Sequence, residues 1–222
     1  MTLHMKREID RLKQMLMSLC EVVEENLRRA VESIRQRDAN LAKTVIETDI
    51  KIDQMEVDME EECLKILALY QPVAIDLRFI ITALKINNDL ERIGDLAVNL
   101  AEHSTFLAGR QKIDVPFDFD EMTQKTELML RKSLDALVKM DSKLAYEVCA
   151  ADDEIDNMDR QMQLMMQNAV HTHPEQTECL MHLRSASGHL ERVADHATNI
   201  AEDVIYMIEG RIVRHKAEDY KS

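Results

Sequence analysis

A thirteen-residue segment occurs twice in this chain, 100 residues apart. Leu90-Glu-Arg-Ile-Gly-Asp-Leu-Ala-Val-Asn-Leu-Ala-Glu102 aligns with Leu190-Glu-Arg-Val-Ala-Asp-His-Ala-Thr-Asn-Ile-Ala-Glu202, with eight of the thirteen positions identical. An earlier stretch repeats at an offset of 103, pairing Asp38/Asp141, Leu41/Leu144, Ala42/Ala145, Val45/Val148, Asp49/Asp152, Ile52/Ile155, Asp53/Asp156 and Met55/Met158. The offset changes at Pro72 and Pro174, in turns, where an insertion costs least. Two copies in this register are an internal duplication, and each copy must build the same unit.

The unit is helical. Leu41, Val45, Thr48, Ile52, Met55 and Met59 advance by threes and fours and put one face inward. Asp38 precedes that face as an N-cap, and Gln71-Pro72 ends it. A third helix is predicted from about Ala74 to Gly109, with Leu90, Ile93, Ala97 and Leu100 on one stripe. The second copy repeats the plan: a helix over about Asp120 to Lys139, one capped by Asp141 and ending near His171, a turn at His173-Pro174, and a last helix reaching Glu209-Gly210. Only 4 Gly and 3 Pro occur in 222 residues, roughly 3% where ordinary usage is roughly 12%. A sandwich, barrel or doubly wound sheet needs many more connections. The expectation is an all-α protein of two tandem three-helix bundles: a first repeat over 1–109, a linker over 110–119, a second repeat over 120–210 and a C-terminal tail over 211–222.

Charge and cysteine usage exclude several functions. With 42 acids against 28 Lys and Arg the net charge is −14, and no basic run exceeds two residues, so nucleic acid is not expected as a partner. Cys20, Cys63, Cys149 and Cys179 are scattered, with neither a disulfide framework nor zinc-ligand spacing. Cys149 and Cys179 read as small buried hydrophobes. The N-terminus carries charges where a signal peptide needs an apolar core, and no stretch approaches 18 apolar residues, so a cytoplasmic protein without membrane insertion is expected. The 15 Met suit a flexible aliphatic core, and apolar Met-rich stripes would support a homodimer. No phosphate-binding glycine loop or nucleophile elbow is present, and Ser185-Ala-Ser187-Gly188 reads as small residues at a packing contact.

The duplication carries acids with it. The second helix of each copy has Asp-x-x-x-Asp (Asp49/Asp53 and Asp152/Asp156), and the third has Glu-x-x-x-Asp (Glu91/Asp95 and Glu191/Asp195). Spacing by four puts both carboxylates of a pair on one side of a helix. Asn99 and Glu102, matched by Asn199 and Glu202, extend the stripe. In so acidic a chain about eight such pairs arise by chance, and a single pair means nothing. Two pairs per copy at matching positions mean more. Four facing carboxylates about 5 Å apart repel by roughly 3 kcal/mol per pair at an effective dielectric near 20. Protonation, arginine or a cation must relieve that. Arg92 and Arg192 lie about 100° around the helix from the neighbouring Glu and relieve it partly. Gly94, Ala97 and Ala101, matched by Ala194, Ala197 and Ala201, allow a facing helix close approach. Two readings stand: an all-oxygen site for hard cations, or a solvated, arginine-neutralised stripe. No Glu has a His three residues later, unlike di-iron bundles. His171, His173, His182 and His189 gather near a turn, where nickel or zinc binding would be accidental.

The segment Asp76-Leu-Arg-Phe-Ile-Ile-Thr-Ala-Leu-Lys-Ile-Asn-Asn-Asp-Leu-Glu-Arg-Ile-Gly-Asp95, continued by Ala97 to Glu102, resembles the signature helix of the PhoU family. His189 to Tyr206 resembles the family's second copy. The resemblance spans nearly the whole chain and implies two similar three-helix bundles. It implies metal clusters on Asp49, Asp53, Glu91 and Asp95 and on Asp152, Asp156, Glu191 and Asp195, with divalent or trivalent ions (Fe, Mn, Mg, Zn or Ca) as cofactors. Leu96 stands where the other copy has His196, which makes the two sites unequal, and Arg78 and Phe79 have no counterpart around Thr177 to Met181. The resemblance further implies a regulator rather than an enzyme. Such a protein links the ATP-binding subunit of a phosphate ABC importer to a sensor histidine kinase, and represses the phosphate-starvation response. The alternative is a metal-dependent phosphohydrolase using the acidic clusters.

Overall fold

The computed structural model describes residues 3–110 and 117–213. Six long α-helices follow one another among them: α1 (Leu3–Gln36), α2 (Ala39–Tyr70), α3 (Ala74–Ala108), α4 (Phe119–Lys139), α5 (Ser142–Thr172) and α6 (Thr177–Glu209), with one 3₁₀ turn, Pro174–Gln176, between the last two. The chain is all-α, as the breaker count requires. Residues 111–116 of the expected linker and 214–222 of the tail lie outside the described residues. Phe117 and Phe119, placed in the linker by sequence, pack against the core, and so does Val213 at the start of the tail.

The duplication is visible in the turns. Asp38 accepts from the amides of Asn40 and Leu41 at 2.8 and 3.1 Å, and Asp141 accepts from Leu144 at 3.1 Å. Before each cap the chain closes the preceding helix in the same way, with Asp38 N donating to Ser33 O (3.0 Å) and Asp141 N to Ala136 O (2.9 Å). Each closure needs one residue in the left-handed region, supplied by Arg37 and Met140 rather than glycine. Gly210 suits its place for two reasons: φ is 72°, and a Cβ there would displace the Arg78 guanidinium.

Each copy packs its three helices around the repeated stripe. Val45, Ile52, Leu90, Ile93 and Ala97 are fully buried, as are Val148, Leu190, Val193 and Ala197; Ile155 is 1% exposed. Met5, Met59, Met122, Met129, Met162, Met166 and Met207 join the core, whereas Met17, Met140 and Met181 are exposed. The exposed large apolar residues on α2 are Ile46, Ile50, Val57, Leu64 and Leu69, of which Ile50, Val57 and Leu64 lie seven residues apart.

The two bundles join through their third helices. Contacts pair Lys85 with Asp203, Asp89 with His196, and His103 with His182. Numbers rise along α3 as they fall along α6, so the seam is antiparallel. Arg35 and Asp120 (3.0 Å) tie α1 to α4 beside it. Asp203 is 1% exposed and its carboxylate meets Lys85 Nζ at 3.2 Å. Lys85→Met removes one partner of that buried carboxylate and is expected to lower stability by about 1–3 kcal/mol, less than for a wholly buried pair because Lys85 is part-exposed. Urea unfolding checks it. The double variant Lys85→Met/Asp203→Leu should recover more than half of the loss, and no recovery would place the cost in packing rather than charge.

Candidate metal centre

Repeated spacing along α2–α3 and α5–α6 turns the eight acids toward one another in pairs of helices. In the second repeat Asp156, Glu191 and Asp195 each present a carboxylate oxygen within 4.8 Å of the others. Asp152 lies beside them and accepts from Thr198 Oγ1 at 3.1 Å. Three converging hard oxygens fit a hard cation. Burial, then the neighbouring acids, push Glu191 up to about 7. Burial likewise pushes Asp152 up to about 6, against the Thr198 hydrogen bond that lowers it. Asp195 is raised by burial and by Asp156. A cation would supply the missing positive charge.

The first repeat is built differently. Asp49 is pushed up to about 6 by burial and by Asp53, Asp95 and Glu91, so the four acids share one field. Its Oδ1 is enclosed without a hydrogen-bond partner and sits 3.1 Å from where a Cβ on Gly94 would stand. Arg92 reaches back across its own helix to Glu91 (3.4 Å) and Asp95 (3.3 Å). Among the described residues no such ion pair holds Arg192. The two clusters are therefore unequal. His196 holds Asp89 at 2.8 Å across the seam, and its charge, with that of Arg192, also acts on Asp195 to lower it against burial.

The remaining expected residues divide. Asn199 donates to Asp89 at 3.3 Å and so serves the seam. Glu202 lies near Cys149, whose thiol is pushed up to about 12, chiefly by burial. Asn99 is half-buried and Glu102 exposed on the corresponding face of α3. Ser187 donates to Asp159 at 2.9 Å alongside a two-pronged Arg184–Asp159 pair, a packing role with a hydrogen bond added. Phe79 lines an apolar groove with Ile9, Leu16, Ile75 and Met207.

The histidines are regrouped. His182 and His189 meet His103 of α3, while His173 lies 3.5 Å from Glu175. His103 and Asp89 carry no sequence signal, because their partners lie on the other repeat and neither belongs to a repeated pair.

The PhoU domain model matches this chain twice, over residues 16–104 and 119–204. The chain belongs to the PhoU family. Its relatives include the Phosphate-specific transport system accessory protein PhoU homolog 1 of Thermotoga maritima, 34% identical over 209 residues that cover 94% of this chain and 90% of that one. The homolog from Aquifex aeolicus is 36% identical over 210 residues, covering 95% of each. A crystal structure of PhoU from Pseudomonas aeruginosa superposes with a TM-score of 0.89 at 33% identity, covering 93% of this chain and 99% of that one. The family's two domains coincide with the two bundles, and each match contains one acid quartet. No helix among the described residues is long and apolar enough to cross a membrane.

Proposed function

We propose that this PhoU-family chain is a cytoplasmic regulatory adaptor of phosphate uptake and the phosphate-starvation response. It docks to the ATP-binding subunit of a phosphate importer and to a sensor histidine kinase, holds metal ions in its carboxylate clusters and has no catalytic activity of its own. The observation that carries this reading is the PhoU domain found over both repeats, together with relatives named as accessory proteins of phosphate-specific transport. The geometry supports it. Long rigid bundles offer extended docking faces. Ile50, Val57 and Leu64 on α2 give a second copy an apolar stripe to pair with.

The test is affinity capture from phosphate-replete cells followed by mass spectrometry. Recovery of the importer ATPase or the kinase is the expected result. Capture of neither, combined with phosphoester turnover by manganese-loaded protein that Asp95→Ala abolishes, would replace the adaptor by the hydrolase.

A further inference from the structure

At one end of the α3–α6 seam four rings and a guanidinium form a continuous stack. Arg110 lies over Phe106 at 3.3 Å, Phe106 stacks on His182 at 3.6 Å, His182 meets His103 edge-on at 4.9 Å, and His103 stacks on His189 at 5.3 Å. His103 Nδ1 and His182 Nδ1 are 2.8 Å apart, one from each repeat. Between neutral rings such a link holds a single proton, donated by one nitrogen to the lone pair of the other. His189 Nδ1 is enclosed and has no hydrogen-bond partner, which is ordinarily destabilising. Three imidazoles thus carry one hydrogen bond among these nitrogens.

Core packing does not require histidine here. At an offset of 100, His103, His182 and His189 correspond to Asp203, Thr82 and Asp89. At the other end of the seam Asp203 and Asp89 serve ion pairs with Lys85 and His196. The same position in the unit therefore accepts other chemistry, and among the described residues three imidazoles gather at one end of the seam whereas ion pairs occupy the other.

We propose that His103, His182 and His189 form a binding site for a first-row transition-metal cation that bridges the two repeats. His103 and His182 supply two adjacent positions, and His189 and water complete the coordination. Two metal–nitrogen bonds of about 2.05 Å meeting at a right angle separate their nitrogens by about 2.9 Å, whereas a tetrahedral ion asks for about 3.3 Å. The 2.8 Å separation is that of a hydrogen bond, close enough for a small rotation of both rings to bring the two nitrogens onto one cation, with Cu2+ as the spectroscopic probe. The cation takes the place of the shared proton, which moves to Nε2 of the same ring, so the pair releases none. Among the described residues, the three-residue group whose donor atoms already converge is the Asp156 cluster; for His189 to join the other two histidines its ring, now stacked on His103, must turn. Burial supports the assignment: it pushes His103 down to about 4 and lowers His182, which leaves both rings neutral and able to coordinate at pH 7.

The site shares no ligand with the carboxylate clusters and stands independently of the adaptor reading. Its test uses untagged, metal-free full-length protein carrying Asp156→Asn, Asp195→Asn, His171→Gln and His173→Gln to silence competing donors. One equivalent of Cu2+ is added and the nitrogen hyperfine structure is read by electron paramagnetic resonance. Two or three equivalent imidazole nitrogens are expected, and His103→Gln or His182→Gln should each weaken Cu2+ binding at least tenfold in a chelator competition. His182→Gln is the second variant should His103→Gln fail to fold. Oxygen-only coordination at one equivalent, or nitrogen signals unchanged in a folded His182→Gln protein, would overturn the proposal.

Discussion

Gly94→Leu is expected to destabilise the protein by about 3 kcal/mol, the upper range for forcing extra atoms into a packed interior. A Cβ at this position already stands 3.1 Å from Asp49 Oδ1 and 3.2 and 3.3 Å from two carbons of Ile52, itself fully buried. A methyl group is tight there but tolerable. Gly94→Ala should be close to neutral, because about 1 kcal/mol of helix propensity offsets the crowding. A leucine has no free direction on that side of α3 and must push α2 outward, taking Asp49 and Asp53 with it. The second repeat supplies the control. Ala194 occupies the equivalent position and is 1% exposed, so Ala194→Gly should cost about 1 kcal/mol, mostly in backbone entropy. Urea midpoints order these variants. A Gly94→Leu protein within 0.5 kcal/mol of the parent would show that α2 and α3 can slide apart without loss.

The same glycine illustrates what a sequence can show. Small residues beside the acids predicted close helix approach, and the contact with Asp49 and Ile52 realises it, because spacing along one helix determines which residues share a face. Caps and turns were legible for the same local reason: Asp38 and Asp141 bond to amides two or three residues away. Arg92 was harder. Its Cα lies about 100° from that of Glu91, yet the long side chain curls back to ion-pair both Glu91 and Asp95, and rotamer choice is not encoded in spacing. Periodicity puts Asn199 on the stripe of the second acid cluster, and His196 stands there where the first copy has Leu96. They turn instead to Asp89, 110 and 107 residues away in sequence. Such pairings depend on how two finished bundles dock, which no pattern within one repeat records. His103 escaped notice for that reason.

In the presence of a chelator, the acid clusters are expected to make the protein less stable as pH rises from 5 to 8. Asp49 and Asp152 have been pushed up from 3.8 to about 6, and Glu191 from 4.5 to about 7, chiefly by burial. The folded state holds these protons more tightly than the unfolded chain. Their contribution is therefore complete below about pH 4 and is lost as pH climbs through 6 and 7. All three groups remain part-exposed, so solvent screening reduces the loss to about 1–2 kcal/mol in total. His103 works in the opposite sense: pushed down to about 4, it adds stability above its ordinary 6.5 that disappears on acidification. The comparison must therefore be made against a variant, Asp49→Asn/Asp152→Asn/Glu191→Gln, which removes the carboxylate component and keeps the histidine. The variant should be more stable than the parent at pH 8 in chelator and lose that advantage at pH 5. Excess Mn2+ should reverse the order at pH 8, because a cation at 100 times its dissociation constant for the parent stabilises it by about 2.7 kcal/mol, and the variant, with ligands missing from both clusters, by less. Thermal melts at the two pH values, with and without Mn2+, decide the matter. A parent that melts identically with metal and with chelator at pH 8 would show that arginine and solvent alone relieve the clusters, and that these acids hold no structural ion.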